Sequence, residues 1–300
     1  MNTWARDFLR LFPESKADEL LSRHTTFRIG GPADFYLELE SVQRLKALSE
    51  FAQNHRVPVT YLGWGSNLLV LDGGIRGIVA RFRGEFERID FLDGGRVRAG
   101  AGVRLPTLVT ECAEQGLGGA ESLVGVPGTI GGALVMNAGT REGEIGPLVE
   151  SVLCFDPDRG EERRIPATEL RFEYRRSNLE GRVILAAELR LKAGSKVDIL
   201  KRVRQLQERR RKTQPIHTFN VGSTFKNPPG RFVAQMIEQA GLKGSRCGGA
   251  RVSEKHANFF ENEGTATARD VLSLVEKVRA EIRSRFGVEL ELEMKVVGES

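Results

Sequence analysis

Cysteine is scarce in this chain: Cys112, Cys154 and Cys247 are an odd number, far apart and without a C-x-x-C pair. That spacing excludes a disulfide framework and provides no Cys/His set of the kind zinc needs, so no metal and a reducing cytoplasm are expected. Aromatic residues make up only 7% of the chain and are nowhere interleaved with basic ones, so no base-stacking surface and no nucleic-acid partner are expected. No apolar run approaches the roughly 20 residues of a membrane helix. Arg6, Asp7 and Arg10 interrupt the N-terminus before a signal-like core could form, and membrane insertion is not expected. An excess of one charge is lacking too. Lys and Arg number 45 against 40 Asp and Glu, a net charge of +5 with no long block of either sign, which fits anionic small molecules better than nucleic acid.

Glycine, by contrast, is abundant at 34 residues, and 300 residues are enough for two or three domains with cores of their own. In residues 61–79, YLGWGSNLLVLDGGIRGIV, two apolar runs flank a turn, a pattern of strand, tight loop and strand. Gly63 and Gly65 remove side-chain bulk, so backbone N–H groups can close on a phosphate while Ser66 and Asn67 add hydrogen bonds. A plain hairpin explains the same residues, and the spacing is not G-x-G-x-x-G, because Leu68 stands where the third glycine would be. A second stretch of this character, LVGVPGTIGGALVMNAG over 123–139, tips the balance toward a ligand that both loops face.

Residues 1–21 are expected to form an amphipathic lead helix packed on the body, with Trp4, Phe8, Leu11 and Phe12 near helical spacing. A Gly30-Gly31-Pro32 turn leads into a strand with Phe35, Leu37 and Leu39 on one side. Ser41 caps a helix with Val42, Leu45, Leu48 and Ala52 on one face, and Val57-Pro58-Val59 begins the next strand. Short strands at 86–91 and 96–99 precede a helix opened by Pro106 and closed by Gly116. Strand-like alternation fills 150–191 and contains FEYRRS, residues 172–177. A basic helix over 196–212 has Val197, Leu200, Val203 and Leu206 as its buried stripe, and Gln214-Pro215 ends it. A helix across 232–239 follows, then one with a capping box at Thr267 and Asp270 and a stop at Gly287. The closing strand turns Val288, Leu290, Leu292, Met294 and Val296 one way and Glu289, Glu291, Glu293 and Lys295 the other, toward solvent.

Ser223-x-x-Lys226 has the spacing of serine acyl-enzymes, but the S-D-N and K-T-G companions of that chemistry are missing. A serine can instead donate a proton where a neighbour such as Lys226 favours its alkoxide; a turn serine is the plain alternative.

The blocks TTFRIGGPADF, LGWGSNLLV, GVPGTIGGALVMNAG, FEYRRS, VGSTFKNP, VSEKHANFFEN and FGVELELEMKVVG occur in the order of one family. From Thr25 to Gly298 the chain resembles the UDP-N-acetylenolpyruvoylglucosamine reductases, the MurB flavoenzymes of bacterial peptidoglycan synthesis. The resemblance implies an α+β chain with the PCMH-type FAD-binding fold. Two α/β subdomains, 1–60 and 61–213, hold the flavin; an α+β domain, 214–287, closes over the substrate; and a C-terminal strand, 288–300, completes the first subdomain. It implies non-covalent FAD, NADPH as hydride donor, and reduction of a UDP-sugar, UDP-N-acetylglucosamine enolpyruvate, to UDP-N-acetylmuramate. The flavin-binding candidates are then Gly63, Gly65, Ser66, Asn67, Leu68, Pro127, Gly128, Thr129, Gly131, Gly132, Asn137 and Gly139. Ser223 falls on the family's proton donor, Arg175 on its catalytic arginine and Glu293 on its catalytic glutamate, which beside an anion must be protonated or share a proton. Arg175, Lys226, Asn227 and His256 are the substrate-binding candidates. Only a short stretch separates Gly139 from Glu150, too little for the inserted tyrosine-bearing loop of one branch, so the chain resembles the shorter, second type.

Overall fold

The structure is a computed structural model and describes residues 3–300; Met1 and Asn2, the start of the expected lead helix, lie outside the described residues. The chain is α+β and forms two compact units from interleaved segments. The first comprises the N-terminal residues through Lys16, Phe35–Trp64 and Gly77–Arg209; the second comprises Ala17–Asp34, Gly65–Arg76 and Arg210–Ser300.

In the first unit the lead helix runs only from Thr3 to Leu11. Pro13 has no N–H to continue it, and from Lys16 to Leu20 the chain is a strand rather than the expected helix. What the short helix contributes is aromatic: Phe8 and Phe12 are fully buried, and Phe8 meets Phe35 edge-on at 5.0 Å. Each such ring is worth about 1.5–3 kcal/mol relative to exposure. Ser41 Oγ accepts the Arg44 N–H at 3.3 Å and starts the helix Val42–His55 as its residue type predicts. The strand Val59–Tyr61 pairs in parallel with Ile75–Phe82, Val59 opposite Ile78, so residues 61–79 are not a hairpin.

A five-stranded antiparallel sheet runs Glu161–Pro166, Val149–Asp156, Val183–Arg190, Arg96–Gly100, Ile89–Leu92. Its central strand is apolar almost throughout because both faces are covered: Val183 and Leu185 enter one core, Ile184, Ala187 and Leu189 the other. Cys112 and Cys154 fill space in the second of these cores. Burial pushes their thiols up to about 12 and about 11, so neither is a nucleophile near neutral pH. The helix Lys196–Thr213 buries Ile199 and Val203, whereas Val197 is 75% exposed. A strict spacing of three drifts by about 60° per step on a 3.6-residue helix, which carries Val197 away from the face used by Val203.

In the second unit, helices Val233–Gln239 and Ala268–Phe286 share a core with Phe27, Ile29, Leu69, Phe225 and Phe260. The capping box is present: Thr267 Oγ1 accepts from Asp270 N at 3.1 Å and Asp270 accepts from Thr267 N at 3.0 Å. Gly287 ends that helix in the left-handed conformation. The closing strand is shorter than its alternation suggests: only Lys295–Val297 forms a ladder, parallel to Leu68–Val70 with Lys295 opposite Leu68. Upstream, single backbone contacts to residues 224–226 replace a ladder. Leu290 and Met294 are buried there, while Val296, inside the short strand, is exposed.

Candidate functional site

Gly63 and the second glycine loop come together in the first unit. A Cβ added to Gly63 would stand 2.9 Å from Thr129 Oγ1. The second loop is not a loop throughout, because Ile130–Met136 is a helix with Thr129 at its N-cap. Backbone bonds seat it: Ile130 N donates to Val103 O and Gly131 N to Ala101 O, each at 2.9 Å, and Leu105 N donates to Gly128 O at 3.0 Å. Gly131 packs on Ala101, where an added Cβ would come within 3.3 Å, and a Cβ added to Gly139 would lie 2.5 Å from Gly143 O and 2.6 Å from Glu144 Cα. Gly132 differs. It is exposed, and within 4 Å an added Cβ would find only Thr129 Oγ1 at 3.8 Å, so the space beside its backbone is open. Half-buried Trp64, next to Gly63, carries the Arg104 guanidinium over its ring at 4.0 Å and that of Arg81 at 5.0 Å. Neither 62–71 nor 123–139 contains an acidic residue. Bare backbone, an added cation and no carboxylate suit the pyrophosphate of a dinucleotide.

Arg175 also belongs to the first unit. Phe172–Glu173 and Arg176–Ser177 pair as a hairpin, Phe172 opposite Ser177, with Tyr174 and Arg175 as its turn. Arg175 has φ 57, a conformation that costs a side-chain-bearing residue about 1–2 kcal/mol. Its guanidinium donates to Gly139 O at 3.1 Å, lies 3.5 Å from Glu144 Oε1 and covers the Tyr174 ring at 4.9 Å. The adjoining strand is held by Ser177 Oγ donating to Val135 O at 3.0 Å. Asn137, 1% exposed, donates to Glu144 Oε2 at 2.7 Å and to Glu173 O at 3.0 Å, and accepts from Gly146 N at 3.0 Å. Both hydrogens of its amide are thus spent on the protein around Arg175.

Ser223 and Glu293 stand in the second unit with the other part of the first glycine loop. Gly65 has φ 68, and an added Cβ would lie 2.3 Å from His24 O, so the fold itself requires glycine there. Asn67 Nδ2 donates to Glu293 O at 3.0 Å, Asn67 O accepts from Lys295 N at 2.9 Å, and Leu68 is paired with Lys295. Glu293 N donates to Thr224 O at 2.9 Å, and Thr224 N donates to Asn258 O at 2.8 Å. Asn67, Ser223 and Glu293, scattered through the sequence, are therefore brought together by the Asn67 side-chain bond to Glu293 O and by the backbone of Thr224, next to Ser223. Ser223 and Glu293 are half-buried, while Glu289 and Glu291 are exposed, so the solvated-face reading holds for those two and not for Glu293.

Lys226 is ion-paired with Glu291. The segment around it is extended, with bridges from Ser223 to Phe259 and from Phe225 to Leu292, and residues three apart on extended chain point to opposite sides. Lys226 is thus not the neighbour that would favour a Ser223 alkoxide, and the helical Ser-x-x-Lys arrangement is absent. Asn227 Oδ1 accepts from Val233 N at 3.0 Å at the start of a helix. His256 is half-buried with its ring edge-on to Phe259 at 4.7 Å.

Sequence reasoning missed Trp64 with Arg104, Glu144, and the clamping role of Asn258, 2% exposed, which bonds both N–H and C=O of Phe225 at 3.1 and 2.8 Å. A single exposed arginine or a glutamate in a two-residue strand carries no local signal; their meaning comes from partners that no local pattern names.

A family model described as FAD binding domain matches residues 33–165, and one described as UDP-N-acetylenolpyruvoylglucosamine reductase, C-terminal domain, matches 214–297. The chain is 47% identical to UDP-N-acetylenolpyruvoylglucosamine reductase 2 of Symbiobacterium thermophilum, over 93% of this chain and 91% of that protein. It is 46% identical to the reductase of Rubrobacter xylanophilus over 97% of each. The solved UDP-N-acetylenolpyruvylglucosamine reductase (MurB) from Thermus caldophilus superposes with a TM-score of 0.82 at 41% identity, covering 93% of this chain and 97% of that one. Near-complete coverage at such identity leaves no other reading: the chain belongs to the UDP-N-acetylenolpyruvoylglucosamine reductase family.

Proposed function

We propose that Arg175, Ser223 and Glu293 carry the chemistry of this family in this chain. The chain is an FAD-containing oxidoreductase that uses NADPH to reduce UDP-N-acetylglucosamine enolpyruvate to UDP-N-acetylmuramate, a step of peptidoglycan precursor synthesis. Bound FAD supplies the hydride, taken from NADPH, that adds to C3 of the enolpyruvyl ether. Arg175 holds the resulting charge on the C2-carboxylate system through its planar, permanently charged fork. Ser223 gives its hydroxyl proton to C2 and recovers one from solvent. Glu293 shares a proton with the enolate, the role open to a carboxyl beside an anion.

The cofactor reading rests on Gly63, Gly128, Thr129 and Gly132 as the backbone that admits the pyrophosphate, with Ser66, Asn67 and Leu68 as further contacts. Residues 1–60 and 61–213 serve the flavin and 214–287 the UDP-sugar in this reading; the start of the last part at 214 coincides with that of the matched C-terminal model, 214–297. Lys226, Asn227 and His256 are the remaining substrate contacts of this reading. No helix among the described residues is long and apolar enough to cross a membrane. A cytoplasmic location belongs to the same proposal, supported by the three free cysteines.

The observation that carries the assignment is the tie between Ser223 and Glu293 through Thr224, whose carbonyl accepts the Glu293 N–H at 2.9 Å. Ser223→Ala tests it. Reduction of the bound flavin by NADPH needs no proton from Ser223 and should stay near the wild-type rate. Reoxidation by the enolpyruvyl substrate should slow by about 10²-fold to 10⁴-fold. Equal slowing of both half-reactions in stopped flow would remove Ser223 from the chemistry.

A further inference from the structure

Two arginines meet at Trp64, and among the described residues neither has an ion pair. Arg81 is only 8% exposed, and a charge buried so far is rarely left unpaired. Its neighbours are the Trp64 ring, 5.0 Å away, and the Tyr36 hydroxyl. Burial pushes that hydroxyl up to about 12, so it stays neutral near pH 7 and offers no counter-charge. Glu38, the acidic group of this cluster, accepts from Tyr36 Oη at 3.1 Å and from Arg83 Nε at 3.2 Å, and Arg83 acts on it more strongly than Arg81 does.

Arg104 is exposed and lies over the same indole at 4.0 Å. Its guanidinium makes no hydrogen bond among the described residues, so the ring is what holds it. The backbone of Arg104 bridges to Thr129, flanked by bonds from Leu105 N to Gly128 O and from Ile130 N to Val103 O. Thr129 is 5% exposed and begins a helix without capping it; among the described residues its hydroxyl bonds to nothing. That hydroxyl lies 2.9 Å from where a Cβ of Gly63 would stand.

Two unpaired cations and an unspent hydroxyl beside bare glycine complement a phosphate. We propose that Arg104, laid on Trp64 and backed by the buried charge of Arg81, binds a phosphate group, and that this group belongs to the pyrophosphate of the flavin dinucleotide. The inference rests on the reading of the Gly63 and Thr129 segments as the flavin site. Arg104 is then the contact and Trp64 a positioning residue: the indole holds the guanidinium flat and leaves its N–H edge for phosphate oxygens. NADPH carries phosphates too, and the same variants separate the two sources.

Titration of the FAD-stripped, full-length protein with FAD, followed by flavin fluorescence, measures the contact without turnover. Arg104→Gln is expected to raise the Kd for FAD about 10-fold to 100-fold, the loss of one charge-assisted contact. That Kd should also rise less steeply with salt than the wild type's, because an exposed, screened charge contact is gone. The FAD-free variant should unfold near the wild-type temperature. Trp64→Leu is expected to weaken FAD several-fold, and in Arg104→Gln/Trp64→Leu the two losses should not add, since the ring acts through the guanidinium. An unchanged Kd and salt slope in Arg104→Gln overturns the proposal, and full additivity overturns the positioning role of Trp64.

In the FAD-saturated enzyme, the NADPH concentration giving half-maximal flavin reduction should be the same in wild type and Arg104→Gln. A 10-fold rise there with FAD affinity intact would place the phosphate on NADPH and refute the flavin assignment. Gly132→Ala in the same FAD titration tests the underlying reading. If it weakens FAD while Arg104→Gln does not, the segment holds the flavin and Arg104 is not its ligand; if neither weakens it, the flavin reading of this segment fails as well.

Discussion

Gly65 and Gly132 should respond oppositely to the same added methyl group, which separates a glycine kept for the fold from one kept for a ligand. At Gly65, with φ 68, the new Cβ would lie 2.3 Å from His24 O and 2.9 Å from Thr25 Cα. The left-handed backbone costs about 1 kcal/mol and displacing the neighbouring segment about 1–3 kcal/mol more, so Gly65→Ala should lose about 2–4 kcal/mol with no flavin bound. At Gly132 the new Cβ makes one ordinary contact, at 3.8 Å. Alanine exceeds glycine in a helix by about 0.5–1 kcal/mol, so the FAD-free Gly132→Ala protein should be more stable than wild type, by about 1–4 °C in Tm. With FAD the order reverses, because the methyl group occupies the space through which the pyrophosphate would approach the backbone. At 100 times its Kd, FAD stabilises the wild type by about 2.7 kcal/mol; a variant binding about 100-fold more weakly keeps only about 0.4 kcal/mol. Thermal unfolding of FAD-stripped protein with and without added FAD reads both signs. An unchanged FAD-induced shift in Gly132→Ala would refute the placement of the flavin at this loop, and a less stable FAD-free protein would refute the open space.

Arg175→Lys should slow reoxidation about 10²-fold with reduction by NADPH near normal, because an ammonium cannot reproduce the fork; parallel slowing in stopped flow would deny it a charge-specific role. Glu293→Gln should change the shape of the pH–rate profile of reoxidation, since glutamine cannot titrate; an unaltered shape would remove Glu293 from proton sharing. Thr267→Ala should cost about 1 kcal/mol in urea unfolding by removing the helix cap. Asp270 adds a pH dependence: the Thr267 backbone N–H, helped by Gly249 N–H, holds its carboxyl below the usual value despite some desolvation. Its folded pKa lies below the unfolded one, so the stabilisation is complete above about pH 4 and is lost as pH falls through the folded value. The stability gap between wild type and Asp270→Asn should accordingly shrink with acidification, and a constant gap would count against an ionic origin.

What the sequence made legible was local. The capping box at Thr267, the cap at Ser41 and the stop at Gly287 depend on residues within one turn of each other, and each is present. The expected lead helix is too long because its apolar spacing stops at Phe12 and Pro13, which a helix interior does not tolerate, follows at once. The helix Ile130–Met136 was read as loop because IGGALVM has two glycines and little propensity; its first turn is held by Val103 and Ala101, more than 25 positions away. The interleaving of the two units was not legible at all, since strand partners such as Leu68 and Lys295 have no sequence signature that names each other. At the site, Ser223, Arg175 and Glu293 were marked by resemblance. Sequence physics does not separate a proton-donating serine from a turn serine, and Glu293 differs from Glu289 and Glu291 in being half-buried, which its alternation does not show.

Backbone strain sharpens the case for Arg175. Among the described residues, five other than glycine have positive φ: Asp18, Arg28, Arg56, Asn137 and Arg175. Arg56 and Asn137 end helices, where a left-handed residue closes the last turn, so the fold accounts for both. A hairpin turn gives no such reason for arginine at position 175, because glycine would make the same turn without the cost of about 1 kcal/mol. Strain by itself is not enough, as Arg28 shows: it is equally left-handed, and its guanidinium rests 5.8 Å above the ring of Phe219, which is itself largely exposed. What distinguishes Arg175 is that a second left-handed residue, the buried Asn137, fixes both the backbone leading into its turn and the carboxylate beside its charge. An unfavourable conformation beside groups held by one buried residue accords with the role proposed for the guanidinium.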